Sequence, residues 1–209
     1  MKLPFAGAAS ALVLMASAAL AAPADQPDHQ SPKPGTANET MSAMKDATYG
    51  LVGQISAEMT STTKGFVRAA AISDMYEVTA GKIALQRASS PVVKEFAQKM
   101  VDAHSMTTEK LKGLMAAKDI TVALPQHVDD LHQGLLDDLR AAKSADFDHR
   151  YISQQIAAHK AADILFRGYA KDGDNAAIKD FAATTDKDIK MHLSMAQDLN
   201  KSTTKTARK

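Results

Sequence analysis

The sequence predicts an all-α fold, a four-helix bundle of two antiparallel hairpins joined by one long crossover that contains a short helix. Three observations predict it. Four segments repeat apolar residues at spacings of three and four, and none sustains the alternation of a strand. Segments one and two, and segments three and four, are separated by only a few residues, which makes each pair antiparallel neighbours. Segments two and three are separated by residues 119–145. A helix of about 25 residues is about 37 Å long, and a connection of that size can run back along it. Two hairpins with one long crossover is the ferritin-like arrangement rather than the simple up-down one.

The first helix is expected from about Lys64 to Ala88, with Phe66, Ala70, Ser73, Ala80 and Ala84 on its inner face. The second opens at "SSPVVKEF": Ser90 suits the N-cap and Pro91 the first helical position, where its missing N–H costs nothing. Its stripe is Val93, Phe96, Ala97, Met100, Leu111, Leu114 and Met115. Inside the crossover, Val128, Leu131, Leu135 and Leu139 form a short helical pattern. The third helix, "FDHRYISQQIAAHKAADILF" and onward to about Lys171, turns Ile152, Ile156 and Phe166 inward. "DGDN" then breaks the chain, with Gly173 suited to a C-terminal cap and Asp174 to the next N-cap. The fourth helix carries Ile178, Phe181, Thr185, Ile189, Ala196 and Leu199.

The flanks set the compartment. Residues 1–21 hold Lys2, an apolar run and Ala19-Leu20-Ala21, the pattern of a cleaved secretory signal. The run is short for a membrane span, so no transmembrane segment is expected after cleavage. Residues 22–60, with Pro23, Pro27, Pro32, Pro34 and Gly35, have a flexible linker's composition, although Val52, Ile55 and Met59 give a weak helical stripe that can prefix the domain. Residues 61–200 are the bundle domain and 201–209 a basic disordered tail. The expected location is the periplasm, with secretion or outer-membrane association as alternatives. The chain has no cysteine and so no disulfide framework. Without Lys2 it carries 24 basic and 24 acidic residues, a balance that argues against nucleic acid as a partner.

Each of the four helices places one titratable residue in its apolar stripe: Glu77, His104, His159 and His192. Imidazole and carboxylate suit Zn, Mn, Fe or Cu, and bundle cores build such sites from facing helices. Asp163, four residues after His159, and Asp188, four before His192, fall on the same faces as supporting groups. A metal-free reading uses the same residues as a satisfied polar network. A ferritin-type di-iron centre needs an acid three residues before a histidine on two helices. Here that spacing occurs only at Asp129/His132 and Asp146/His149, in the crossover and at a helix start. Nine of the eleven methionines lie beyond the signal, and Met100, Met191 and Met195 neighbour the inner histidines, an arrangement soft enough for Cu(I) as well as for core filling. No nucleophile elbow, phosphate loop or His-Glu-x-x-His helix is present.

The segments "FVRAAAISDMYEVTAGKIALQRASSPVVKEFAQKMVDAHSMTTEKL", "ITVALP", "FDHRYISQQIAAHKAADILF" and "MHLSMAQDL" resemble a large bacterial family of exported ferritin-like proteins of unknown function, often labelled predicted outer-membrane or putative membrane proteins. The resemblance spans about residues 64–200. It implies that Glu77, Gly81, His104, Phe147, Asp148, Tyr151, His159 and His192 belong to the family pattern, with Asp148 and Tyr151 near the polar cluster. The chain departs at Ala103, where the family pairs an Asp with the histidine; Asp102 is one position away, about 100° around the helix. The function expected is an exported, non-enzymatic domain whose Glu/His cluster can hold a divalent metal. The alternatives are a metal-dependent envelope redox enzyme and a metal-free stress or interaction module, with a homo-oligomer or an envelope protein as partner.

Overall fold

The computed structural model describes residues 50–206, and every described element is helical. The expected signal, residues 1–21, the first part of the linker with His29, and the last three residues of the tail lie outside the described residues. A helical turn over residues 50–53 leads into α1 (Ala57–Ser61). Then follow α2 (Thr63–Arg87), α3 (Pro91–Ala117), α4 (Asp130–Ala141), α5 (Ser144–Asp172) and α6 (Ala176–Thr206). Packing therefore begins before residue 61: Leu51 is buried, and Ile55 and Met59 lie against the core, so this end of the expected linker is part of the fold. At the other end, α6 continues as helix through 201–206, six residues into the expected tail.

The side-chain pairings fix the helix directions. Asp74 on α2 meets His104 and Thr108 on α3, while Gly81 faces Ala97 and Val101, so α2 and α3 are antiparallel. Asp163 and Phe166 on α5 meet Lys190 and Phe181 on α6, again antiparallel. Helices α2 and α5 also run antiparallel, since Thr63 bonds Tyr169 whereas Ser89 bonds Asp148. The short α4 packs on α2 and α5.

The cap chemistry differs from the simple expectation at both hairpins. Ser90 stands at the N-cap of α3 with Pro91 behind it, but its side chain makes no cap bond. Asp148 of α5 does that work: its carboxylate accepts from the Ser89 and Ser90 backbone N–H groups at 3.0 and 2.9 Å and from the Ser89 hydroxyl at 2.7 Å. The acid sits at a helix N-terminus, where negative charge is favoured. At the second hairpin Asn175, not Asp174, caps α6, accepting from the Ile178 N–H at 3.1 Å. Asp174 instead receives the Thr63 N–H and hydroxyl and the Tyr169 hydroxyl, which ties the start of α2 to the α5–α6 turn. Gly173 ends α5 in an extended conformation (φ −63°, ψ 151°). Its value is space: a Cβ there would lie 2.5 Å from the Tyr169 ring.

Arg87 fastens the crossover. Its guanidinium donates to the carbonyls of Leu139, Arg140 and Ala142, at the C-terminal end of α4, and lies over the Phe147 ring at 4.9 Å. Unpaired helix C-terminal carbonyls favour such a cation.

The apolar core is in two pieces. One gathers Tyr76, Ala80, Ala84, Val93, Phe96, Met100, Phe147, Tyr151, Ile152 and Ile156 with Leu136 and Leu139 of α4. The other gathers Phe66, Ala70, Leu111, Met115, Leu165, Phe166, Tyr169, Ile178 and Ile189. On every long helix the boundary between them falls near the midpoint, and there the buried side chains are polar.

Close approach of α2 and α3 beside that layer depends on Gly81. A Cβ at this position would meet the Val101 side chain at 2.7 Å and the Ala97 carbonyl oxygen at 3.0 Å. Gly81→Val is expected to destabilise the protein by about 1–3 kcal/mol through overpacking, read as a lower urea midpoint. A midpoint equal to wild type would contradict the close approach.

Candidate metal centre

The polar layer is built from residues already placed by the helix periods. Glu77 and Asp74 come from α2, His104 from α3, Gln155 and His159 from α5 and His192 from α6, and all six are buried. The three imidazoles converge: ring centroids are 5.6 Å apart for His104–His159, 5.8 Å for His104–His192 and 5.6 Å for His159–His192. One ring nitrogen from each lies within 4.8 Å of one from each of the others. Zinc–imidazole bonds of about 2.0–2.1 Å put tetrahedral nitrogens roughly 3.3 Å apart, so small ring rotations close the set around an ion.

Hydrogen bonds fix which nitrogens are free. His104 Nδ1–H donates to Asp74 Oδ1 at 2.8 Å, and the Thr108 hydroxyl holds the other oxygen of Asp74 at 2.9 Å. His159 Nδ1–H donates to the Gln155 backbone carbonyl at 2.9 Å. In its neutral form each ring is thereby held in the tautomer whose Nε2 carries a lone pair. Those two Nε2 atoms, and Nδ1 of His192, are buried without a hydrogen-bond partner. An imidazole tied at one nitrogen to a carboxylate or carbonyl, with the other nitrogen free, is the usual state of a metal-binding histidine.

Glu77 takes a different place from the one its sequence position suggests. It is 1 % exposed, but its Oε2 accepts from Gln155 Nε2 at 2.7 Å and its Oε1 lies 3.6 Å from His159 Nδ1, the nitrogen already bonded to the Gln155 carbonyl. Burial first of all raises its carboxyl to about 7, against the lowering by the His104 charge and the Gln155 bond. Burial also pushes His159 well below the ordinary imidazole value and His192 down to about 4, with the charge of His104 adding to both. His104 goes the other way. Burial lowers it, but the hydrogen bond to Asp74 and the nearby Glu77 outweigh that and leave it raised.

The other expected supporting acids stand elsewhere. Asp102 is exposed and accepts from Gln98 one turn back at 2.8 Å, so it does not orient His104. Asp148 caps α3, as described. Asp163 lies at the α5–α6 surface with Lys190 at 3.4 Å and Arg167 at 3.6 Å. Asp188 is exposed and reaches His192 only through its charge. Tyr151 is buried between Phe96 and Phe147, its hydroxyl without a partner. Met100 is buried one turn before His104, Met195 is partly buried, and Met191 is 50 % exposed and faces outward. Asp129 caps α4 and pairs with His132 at 2.7 Å, a helix-end role for that acid–histidine match.

Asp74 and Gln155 are the participants that the sequence reading passes over. Asp74 lies four residues after Ala70 and three before Glu77, on the same stripe; the inner face was read through Ser73 instead. Gln155 lies one turn before His159. The acid that the family resemblance puts beside the second-helix histidine is supplied here from the neighbouring helix.

A chain with these helices and this layer belongs to the family described as domain of unknown function DUF4142, whose model matches residues 52–199. No curated protein and no solved structure matches it. Among the described residues no helix is long and apolar enough to cross a membrane.

Asp74→Asn removes the charge and the acceptor that raise His104. The His104 pKa is expected to move from above the ordinary 6.5 to below it, followed by histidine resonances in an NMR titration. An unmoved His104 would show that Asp74 does not set its state.

Proposed function

We propose that this protein is an exported, periplasmic, ferritin-like four-helix domain that holds one divalent metal ion on His104, His159 and His192, and that it is not an enzyme. The observation that carries the reading is the convergence of three imidazoles whose inward nitrogens have no other partner. The ferritin-like arrangement is supported by two antiparallel hairpins, α2–α3 and α5–α6, joined by the long stretch that contains α4. Export is supported by the signal-like residues 1–21.

The charges favour a 2+ ion. Two carboxyl groups, Asp74 and Glu77, adjoin the outer nitrogens of His104 and His159 and together balance that charge when both are ionised. All-nitrogen ligation suits copper(II), zinc, iron or manganese, with affinity falling in roughly that order. Glu77 then acts through His159, holding negative charge behind the ring, in place of binding the ion itself.

Elemental analysis of protein purified without chelators is expected to give about one metal per chain after loading, lost in the His104→Ala/His159→Ala variant. A wild type that refuses Zn, Mn, Fe and Cu alike sinks the proposal.

Proton linkage gives an independent check. A raised His104 carries its proton above pH 6.5, and an ion must displace that proton, so affinity falls as pH drops through the His104 range. His192, down at about 4, does not compete until far lower pH, and Glu77, at about 7, gives up its proton more readily once the ion is present. Calorimetry near pH 6.5 in buffers of different ionisation enthalpy should find about one to two protons released per ion. Affinity that stays flat between pH 6 and 8 would contradict the assignment of His104.

A further inference from the structure

The metal-binding reading leaves open whether the protein closes the ion's coordination shell. We infer that it does not: the ion on His104, His159 and His192 keeps a position for an exchangeable water, which a small monodentate anion can replace. This inference rests on the metal-binding proposal.

Three observations carry it. First, among the described residues the three imidazoles are the only His, Asp or Glu side chains that gather here, and the chain has no cysteine. The one long helix that gives no ligand is α2, and both of its buried carboxylates are engaged at the outer ring nitrogens. Asp74 is held by His104 Nδ1 and Thr108, and Glu77 by Gln155 beside His159 Nδ1. Closed structural zinc sites take four protein ligands, whereas three leave the fourth position to water.

Second, the interior holds polar groups with nothing to bond. Gln155 Oε1 and the Tyr151 hydroxyl are buried and unpartnered, one and two turns before His159 on the same helix face. Buried unpaired groups of this kind call for water or a bound ligand.

Third, one ring of the three borders the solvent side of the layer. His192 is the only one of the three rings with a nitrogen that is neither hydrogen-bonded nor sealed: Nδ1 is buried, while Nε2 has no bond and is not among the buried atoms. The charges that act on His192 from outside its own ring neighbours, Lys99 on α3 and Asp188 on α6, are both exposed, which marks the α3–α6 seam as the solvent side. The two carboxylates of α2 restrict the incoming ligand to a neutral molecule or a singly charged anion, since further negative charge beside them is repelled.

Cobalt(II) is the probe for the test, with azide as the anion. The full-length protein loaded with Co2+ should show visible d–d absorption, and azide should shift those bands with one-to-one saturation. Glu77→Gln and Met100→Leu, each of which removes one buried donor, should keep the azide response, with Glu77→Gln saturating at lower azide because one repelling carboxylate is gone. Co2+ absorption in the wild type that azide leaves unchanged overturns the open position while leaving metal binding intact. A response that appears only in Glu77→Gln or only in Met100→Leu also overturns it, by showing that a carboxylate or a thioether fills the fourth place. Absence of any d–d absorption overturns the metal proposal itself, and this inference with it.

Discussion

The fold is arranged around three imidazoles with an unpaired buried nitrogen each, two of them held at the opposite nitrogen by Asp74 and the Gln155 carbonyl. An unsatisfied buried polar atom costs about 1–3 kcal/mol, so three free ring nitrogens burden the metal-free fold by several kcal/mol, a large fraction of a typical domain's net stability. Helical propensity cannot offset that. A bound ion can, because structural zinc sites contribute about 10–16 kcal/mol. Apolar packing continues above and below the layer, and the helices are pinned far from it.

Those pins explain much of the remaining polar chemistry. At one end Asp174 binds Thr63 and Tyr169; at the other Asp148 caps α3 and Arg87 seals the end of α4. None of them touches the histidines, yet together they fix the axial register of four helices. Register decides whether side chains at the midpoints meet. His104 is the central residue of α3, and His159 and His192 lie one residue past the centres of α5 and α6. Phe147, Asp148 and Tyr151 thus form an end-cap and an aromatic layer, and their tie to the histidine cluster is indirect.

How much of this was legible in the sequence follows from which interactions are periodic. Helix faces are, so the four long helices, α4 and the burial of Glu77, His104, His159 and His192 could be read from spacing alone. Helix α6 runs on to Thr206, six residues into the expected tail, and that length puts His192 near its middle. What spacing cannot give is the partner across the interface. Asp102 and Asp188 are near their histidines along the chain but rotate to solvent, while Asp74 comes from thirty residues away to hold His104. Caps fail for a related reason: Ser90 and Asp174 have the residue types of local caps, yet Asp148 caps α3 from across the hairpin, and Asn175 caps α6 while Asp174 is engaged by Thr63 and Tyr169. Glu77 shows the limit most plainly, since its inward direction was readable and its position behind His159 was not.

The central claim is that three nitrogens from three helices bind one ion. X-ray absorption at the zinc edge of the stoichiometrically loaded protein tests it most directly. The account predicts a first shell of nitrogen or oxygen at about 2.0–2.1 Å with the outer-shell scattering of three imidazole rings. A shell containing sulfur at about 2.3 Å, or one with fewer than three imidazoles, would contradict it.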